Sequence, residues 1–214
     1  MKIEFIVEGN EIMRSAAAIM HKKQFIKDEL DRQLPRRQSD ELWARAQEKL
    51  EEILKRYADI PTGEHMHTDQ YIFPAAALYL TVKDAVNPQL AYSVIENASI
   101  NKTTNSGAKL VKLMRIPFFR NLFVWIWDPM TKKMFGPAQG FKNTFYPKKK
   151  GEYRMDIVDC PYYRYFTQLG CPELTKIFCA NDERIYGNLP GLEFIRTGTL
   201  GTGANCCDFT IRKV

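Results

Sequence analysis

Apolar residues recur at helical spacing through the first hundred positions of the chain. In residues 10–34, Ile12, Ala16, Ile19, Phe25 and Ile26 share one face, with Gly9-Asn10 as N-cap and Leu34-Pro35 as the stop, because a residue before proline avoids the helical region. Ser39-Asp40-Glu41-Leu42 opens a second helix with Leu42, Ala46, Leu50, Ile53 and Leu54 on its apolar face, ending near Asp59-Ile60-Pro61. A polar linker over residues 61–69 precedes a helix over 69–85 that is apolar nearly all round (Tyr71, Ile72, Ala75, Leu78, Tyr79, Val82), the pattern of a helix central to a core. It ends at Asn87-Pro88, and a shorter helix is expected over 89–98.

After Gly136-Pro137 the period changes. Residues 141–146 and 153–158 alternate as strands around the charged turn Pro147-Lys148-Lys149-Lys150-Gly151,. Helices follow near 162–169 and 173–188, then strands over 192–197 and 207–212. The order predicts an α+β fold: a helical N-terminal two thirds packed on a small antiparallel sheet of about four strands, with two helices inserted between the strand pairs. Residues 1–214 read as a single α+β domain, mainly helical over 1–135 and carrying the sheet and the cysteines over 136–214.

Charge sharpens the picture in one place. Residues 1–100 carry 13 basic and 16 acidic side chains, 101–150 carry 11 and 1, and 151–214 carry 7 and 8. The middle segment therefore supplies the whole excess of the net +6. Within it lies the segment 118–127, with Phe118, Phe119, Phe123, Trp125 and Trp127. That run is far shorter than the ~20 residues needed to span a bilayer. A buried aromatic helix is the favoured reading, with peripheral contact to an anionic membrane surface as the alternative. No ribonucleoprotein-type motif accompanies it, so no nucleic-acid partner is expected. The start of the sequence has no signal-peptide pattern, and five cysteines, an odd number and all in the last quarter, make a poor disulfide framework. Reduced thiols in a cytoplasmic protein are expected.

Candidate chemistry concentrates in residues 160–209. All five cysteines, Cys160, Cys171, Cys179, Cys206 and Cys207, lie there with Asp182, Arg196 and Asp208. A nucleophilic cysteine needs a lowered pKa from a cation, a helix N-terminus or a base. Cys160 precedes a predicted helix, and Cys207 adjoins Asp208 after a glycine-rich turn. Inert burial is the competing reading, and zinc on Cys160, Cys179 and Cys206 or Cys207 is a lesser one, without a Cys-x-x-Cys knuckle. Arg196 in a strand calls for a carboxylate, from Asp182, Asp208 or a substrate. Gly198, Gly201 and Gly203 form no phosphate loop, because the run leads from strand to strand and lacks the lysine. His65, His67 and Asp69 have metal-ligand chemistry, but their spacing fits an ordinary loop and helix cap. No metal or other cofactor is therefore expected.

At these residues the chain resembles the L-2-amino-thiazoline-4-carboxylic acid hydrolase family. The resemblance rests on Cys160 and the aromatic helix after it, Leu169-Gly170-Cys171-Pro172-Glu173-Leu174, Phe178-Cys179 with Asp182, Leu189-Pro190-Gly191, Phe194-Ile195-Arg196-Thr197, Thr199-Leu200-Gly201, Gly203 and Cys207-Asp208-Phe209. It implies a hydrolase that opens a small cyclic isothiourea-type amino-acid derivative to an N-carbamoyl-cysteine-like product. The chemistry then suggests Cys160 or Cys207 as nucleophile and Asp182 or Asp208 as general acid/base. Arg196 would clamp the substrate carboxylate, with Thr197, Thr199, Gly201, Gly203 and Cys179 as further substrate contacts. The alternative is a non-catalytic small-ligand-binding or sensor module, associated with a membrane surface through the aromatic segment. Convergence of Cys160, Cys179, Asp182, Arg196 and Cys207 on one pocket is the feature that favours specific binding or catalysis.

Overall fold

A computed structural model describes residues 15–147 and 149–214. The Gly9-Asn10 cap and Ile12 lie outside the described residues. Ser15 caps α1 (Ala16–His21) through its Oγ, and α2 (Gln24–Gln33) follows a break at Lys22-Lys23. The single helix expected here is thus two. The break leaves Ala16, Met20, Ile26 and Leu30 in one buried cluster and buries Lys23 at 7% exposure.

α3 (Arg36–Arg56) starts directly after Pro35 and buries the predicted face, Leu42, Ala46, Leu50, Ile53 and Leu54. Ser39 is a buried link instead of a cap: its Oγ receives Lys27 Nζ at 3.0 Å and donates to Asp31 at 2.6 Å. The expected linker after α3 is a folded turn. It runs through a 3₁₀ turn, Thr62–Glu64, α4 (His65–His67) and a π-helical turn, Thr68–Ile72, straight into α5 (Phe73–Ala85). α5 is buried on nearly every side, and packs between α3 and α6.

α6 (Pro88–Met114) has 27 residues and is capped by the Asn87 side chain on Leu90 N–H. It passes well beyond the expected stop at residue 98. Asn, Thr, Ser and Gly are poor helix formers, but here tertiary contact overrides propensity. Thr103 returns its hydroxyl to the Ser99 carbonyl at 2.8 Å, the local bond such residues make inside helices. Gly107 lets α6 approach α9, since a Cβ there would stand 2.8 Å from the Arg184 carbonyl oxygen. α7 (Pro117–Met134) buries Phe123, Trp127 and Thr131 on one face and exposes Phe118 and Trp125 at 66% and 67%. The expected buried aromatic helix is thus buried on one face only. Among the described residues no helix is long and apolar enough to cross a membrane.

The sheet is α+β in the predicted manner. β1 (Lys142–Phe145), β2 (Glu152–Asp159), β3 (Leu192–Ile195) and β4 (Cys207–Lys213) run antiparallel in the order β1-β2-β4-β3,. α8 (Pro161–Gln168) and α9 (Leu174–Tyr186) are inserted between β2 and β3. Alternation sends Tyr153, Met155 and Ile157 of β2 and Cys207, Phe209 and Ile211 of β4 to the same covered face,. With α7 they form one apolar cluster. The helices α1, α2, α3, α5 and α6, with α8 and α9, form the other.

Candidate active site

A cavity of about 340 Å³ lies where the two clusters meet and takes lining residues from both. Cys160, Cys179, Asp182, Arg196, Thr199 and Cys207 all line it. Each arrives there for a local reason. Cys179, Asp182 and Tyr186 lie three and four residues apart, on one face of α9. Cys207 occupies an inward position of β4, and Arg196 follows the last residue of β3.

Cys179 and Cys207 are hydrogen-bonded to each other through their thiols. That bond, with Thr199, the Gly201 N–H and the nearby Arg196 charge, outweighs burial and holds the Cys179 thiol down at about 6. The Cys207 thiol goes the opposite way, raised first by donating to Cys179 and then by burial. The Leu200 N–H points at Cys207 Sγ, 3.3 Å away. The same contact thus lowers the Cys179 thiol and raises that of Cys207. Gly201 makes this approach feasible, because a Cβ there would stand 3.1 Å from Cys179 Sγ and 2.9 Å from Thr175 Cγ2.

Arg196 Nη1 donates to the Cys179 carbonyl at 2.8 Å and to Asp182 at 3.3 Å. Among the described residues its other guanidinium nitrogens have no hydrogen-bond partner. Asp182 keeps 37% of its side chain accessible, but that surface faces a confined space walled by Phe178, Ile185 and Tyr186. Burial therefore pushes its carboxyl up to about 7, against the opposing pull of Arg196. A carboxyl with that affinity carries a proton in the neutral range, and can donate or accept one.

The other candidates are placed as follows. Cys160 caps α8 and lines the cavity, but burial drives its thiol up to about 12 despite the Tyr162 and Tyr163 N–H groups. Cys171 is wholly buried in the helical cluster. Cys206, Thr197, Gly201, Gly203 and Asp208 are not among the lining residues. Asp208 closes the loop after β3, accepting from the N–H groups of Thr197 and Gly198 and the Thr197 hydroxyl at 2.8–2.9 Å. Burial alone would raise its carboxyl, but these bonds hold it below the usual range.

His67 reaches the cavity by a route the linear spacing did not reveal. Its Nε2–H donates to the Met134 carbonyl at 2.7 Å, which leaves Nδ1 to accept from the Tyr162 hydroxyl at 3.0 Å. Burial lowers its proton affinity further. It is a neutral ring that fixes Tyr162 in the cavity wall. Among the described residues no group of three or more His, Cys, Asp or Glu is placed to hold a metal ion. Lys23 and Lys102 line the cavity as well. They are far from most of the cysteines in sequence and border the same cavity only through the fold.

No curated protein and no solved structure matches the chain. A family model described as L-2-amino-thiazoline-4-carboxylic acid hydrolase matches residues 65–211, from α4 into β4. The match covers well over half of the 214 residues and includes every cysteine, Asp182 and Arg196. The chain belongs to the L-2-amino-thiazoline-4-carboxylic acid hydrolase family.

Proposed function

We propose that this chain hydrolyses a small cyclic isothiourea bearing a carboxylate, opening the ring at the carbon between nitrogen and sulfur. The observation that carries the reading is the Cys179–Cys207 thiol pair, set beside Asp182 and Arg196 on one cavity wall in a member of this family. Cys179 is the nucleophile, in preference to Cys160 and Cys207, because it alone of the three has a lowered thiol pKa,. Its thiolate adds to the ring carbon, and the carbon–sulfur ring bond breaks. The departing sulfur takes the proton of Asp182 and leaves an open-chain isothiourea on Cys179. Asp182, now ionised, takes a proton from water as the oxygen adds to the same carbon. The Cys179–carbon bond then breaks, returning the thiolate and releasing an N-carbamoyl-cysteine-type product. The net change is addition of one water, with both residues restored. Arg196 meets the substrate carboxylate with the guanidinium edge not engaged by Cys179 and Asp182. Cys207 is a positioning residue that keeps the charge on Cys179.

The test incubates the protein with L-2-aminothiazoline-4-carboxylate and follows formation of the single thiol-bearing N-carbamoyl product by mass spectrometry. Wild-type turnover is expected, with a loss of about a thousandfold or more in Cys179→Ala. Turnover at the wild-type rate in that variant would remove the covalent mechanism. Absence of turnover in the wild type would remove this substrate.

A further inference from the structure

One part of the cavity has no role in that mechanism. Lys23, on the α1–α2 break, and Lys102, on α6, line it from the helical side, whereas Arg196 and Cys207 come from the sheet and its loop. Lys23 is 7% exposed, which is unusual for lysine unless an anion accompanies it. Neither ammonium has a carboxylate partner among the described residues. Each ammonium lies over an aromatic ring: Lys23 Nζ is 5.4 Å from the Tyr71 ring centroid, and Lys102 Nζ is 4.1 Å from that of Phe25. Burial and the proximity of Lys102 bring Lys23 down to about 8. The two ammonium groups therefore repel each other beside an open space. Ser99 and Ser106 line the same region, but their hydroxyls already donate to Asn181 Oδ1 and to the Lys102 carbonyl, so the two ammonium groups carry the subsite. Arg196, by contrast, already faces the Asp182 carboxyl. The space also exceeds what one five-membered ring needs, since about 300 Å³ is the lower end for sites that enclose drug-sized ligands.

We propose that Lys23 and Lys102 form a second anion subsite, so that the substrate of this chain carries another anionic group, carboxylate or phosphate, beyond the one met by Arg196. The proposal rests on the assignment of Arg196 as the first carboxylate contact. Lys23 lies outside the matched residues 65–211, so this subsite would set the specificity of this particular chain.

The test measures binding by calorimetry for linear dicarboxylates from succinate to pimelate, their matching monocarboxylates, and ω-phosphonocarboxylates of the same lengths. The wild type should bind at least one doubly anionic probe about tenfold tighter than its monoanionic counterpart, the gain from one charge-assisted contact. Lys102→Met and Lys23→Met should each abolish that advantage and leave the monocarboxylate affinity unchanged. The better series tells carboxylate from phosphate. The proposal is overturned if no doubly anionic probe has an advantage, or if the advantage survives in Lys102→Met. Lys102 is exposed, so that variant decides the matter even if Lys23→Met does not fold. Turnover of the aminothiazoline by the same preparation separates the two readings. Lysine-dependent binding without turnover keeps the subsite and removes the aminothiazoline carboxylate as the substrate, and turnover without a dianion advantage removes the subsite alone.

Discussion

At the scale of single residues, the site depends on two shifted proton affinities that overlap in one narrow range. The proposed mechanism needs an ionised Cys179, whose thiol sits at about 6, and a protonated Asp182, whose carboxyl sits at about 7. The activity profile, kcat/KM against pH, should therefore be a bell with its maximum between those values. Cys207→Ala removes the largest cause of the low Cys179 value. Its acid limb should move up toward the ordinary thiol range of about 8.5, and alkylation of Cys179 by iodoacetamide at pH 6.5 should slow accordingly. An unmoved limb would separate the thiol pair from catalysis. Asp182 also links folding to pH. Its folded value lies above the unfolded one, so the stability it contributes is fully present below about 4 and is lost as pH rises to about 7,. Asp182→Asn should lack that decline, which thermal melts at pH 4.5 and 8 would register as a smaller change in Tm than in the wild type.

At the scale of elements, α7 and α6 make the clearest predictions. Trp127 is 2% exposed and packs against Phe123, Tyr186 and Phe209, whereas Trp125 on the other face is 67% exposed. Trp127→Ala should cost about 3–5 kcal/mol and Trp125→Ala less than about 0.5 kcal/mol, measured by urea unfolding. Gly107→Leu should force α6 away from the Arg184 carbonyl, which even a Cβ would approach to 2.8 Å, and cost at least about 1–3 kcal/mol. The sequence made α3, β2 and β4 legible because their period is clean: Leu42, Ala46 and Leu50 at helical spacing, Met155 and Ile157 in alternation. It concealed the second half of α6, where Asn101, Thr103, Thr104, Asn105, Ser106 and Gly107 speak for a loop. Packing on α9 decides otherwise. The folded turn around His67 was hidden for the same reason, since its partners Met134 and Tyr162 lie 67 and 95 residues away.

At the scale of the whole molecule, the site sits at a junction. The helical cluster and the sheet cluster each close on themselves, and the cavity occupies the seam between them. The residue types that gather there were visible in the sequence, since residues 160–209 hold the cysteines, Asp182 and Arg196. Their ranking was not. Locally, Cys160 before a helix and Cys207 beside Asp208 read as the nucleophile candidates and Cys179 as a substrate contact, whereas the proposed mechanism uses Cys179. What distinguishes Cys179 is a set of bonds from Cys207, Thr199 and Gly201, which no local pattern encodes. Asp208 beside Cys207 reads as a general acid/base candidate, and in the structure its carboxylate accepts hydrogen bonds from the loop after β3. Lys23 gave no signal at all, because its cavity forms from elements remote in sequence. The most direct measurement for the account as a whole is intact-protein and peptide mass spectrometry of the wild-type protein quenched during incubation with L-2-aminothiazoline-4-carboxylate. The account predicts a transient increase equal to the substrate mass, located on the peptide containing Cys179 and absent in Cys179→Ala. Turnover with no adduct, or an adduct located on Cys160 or Cys207, would contradict it.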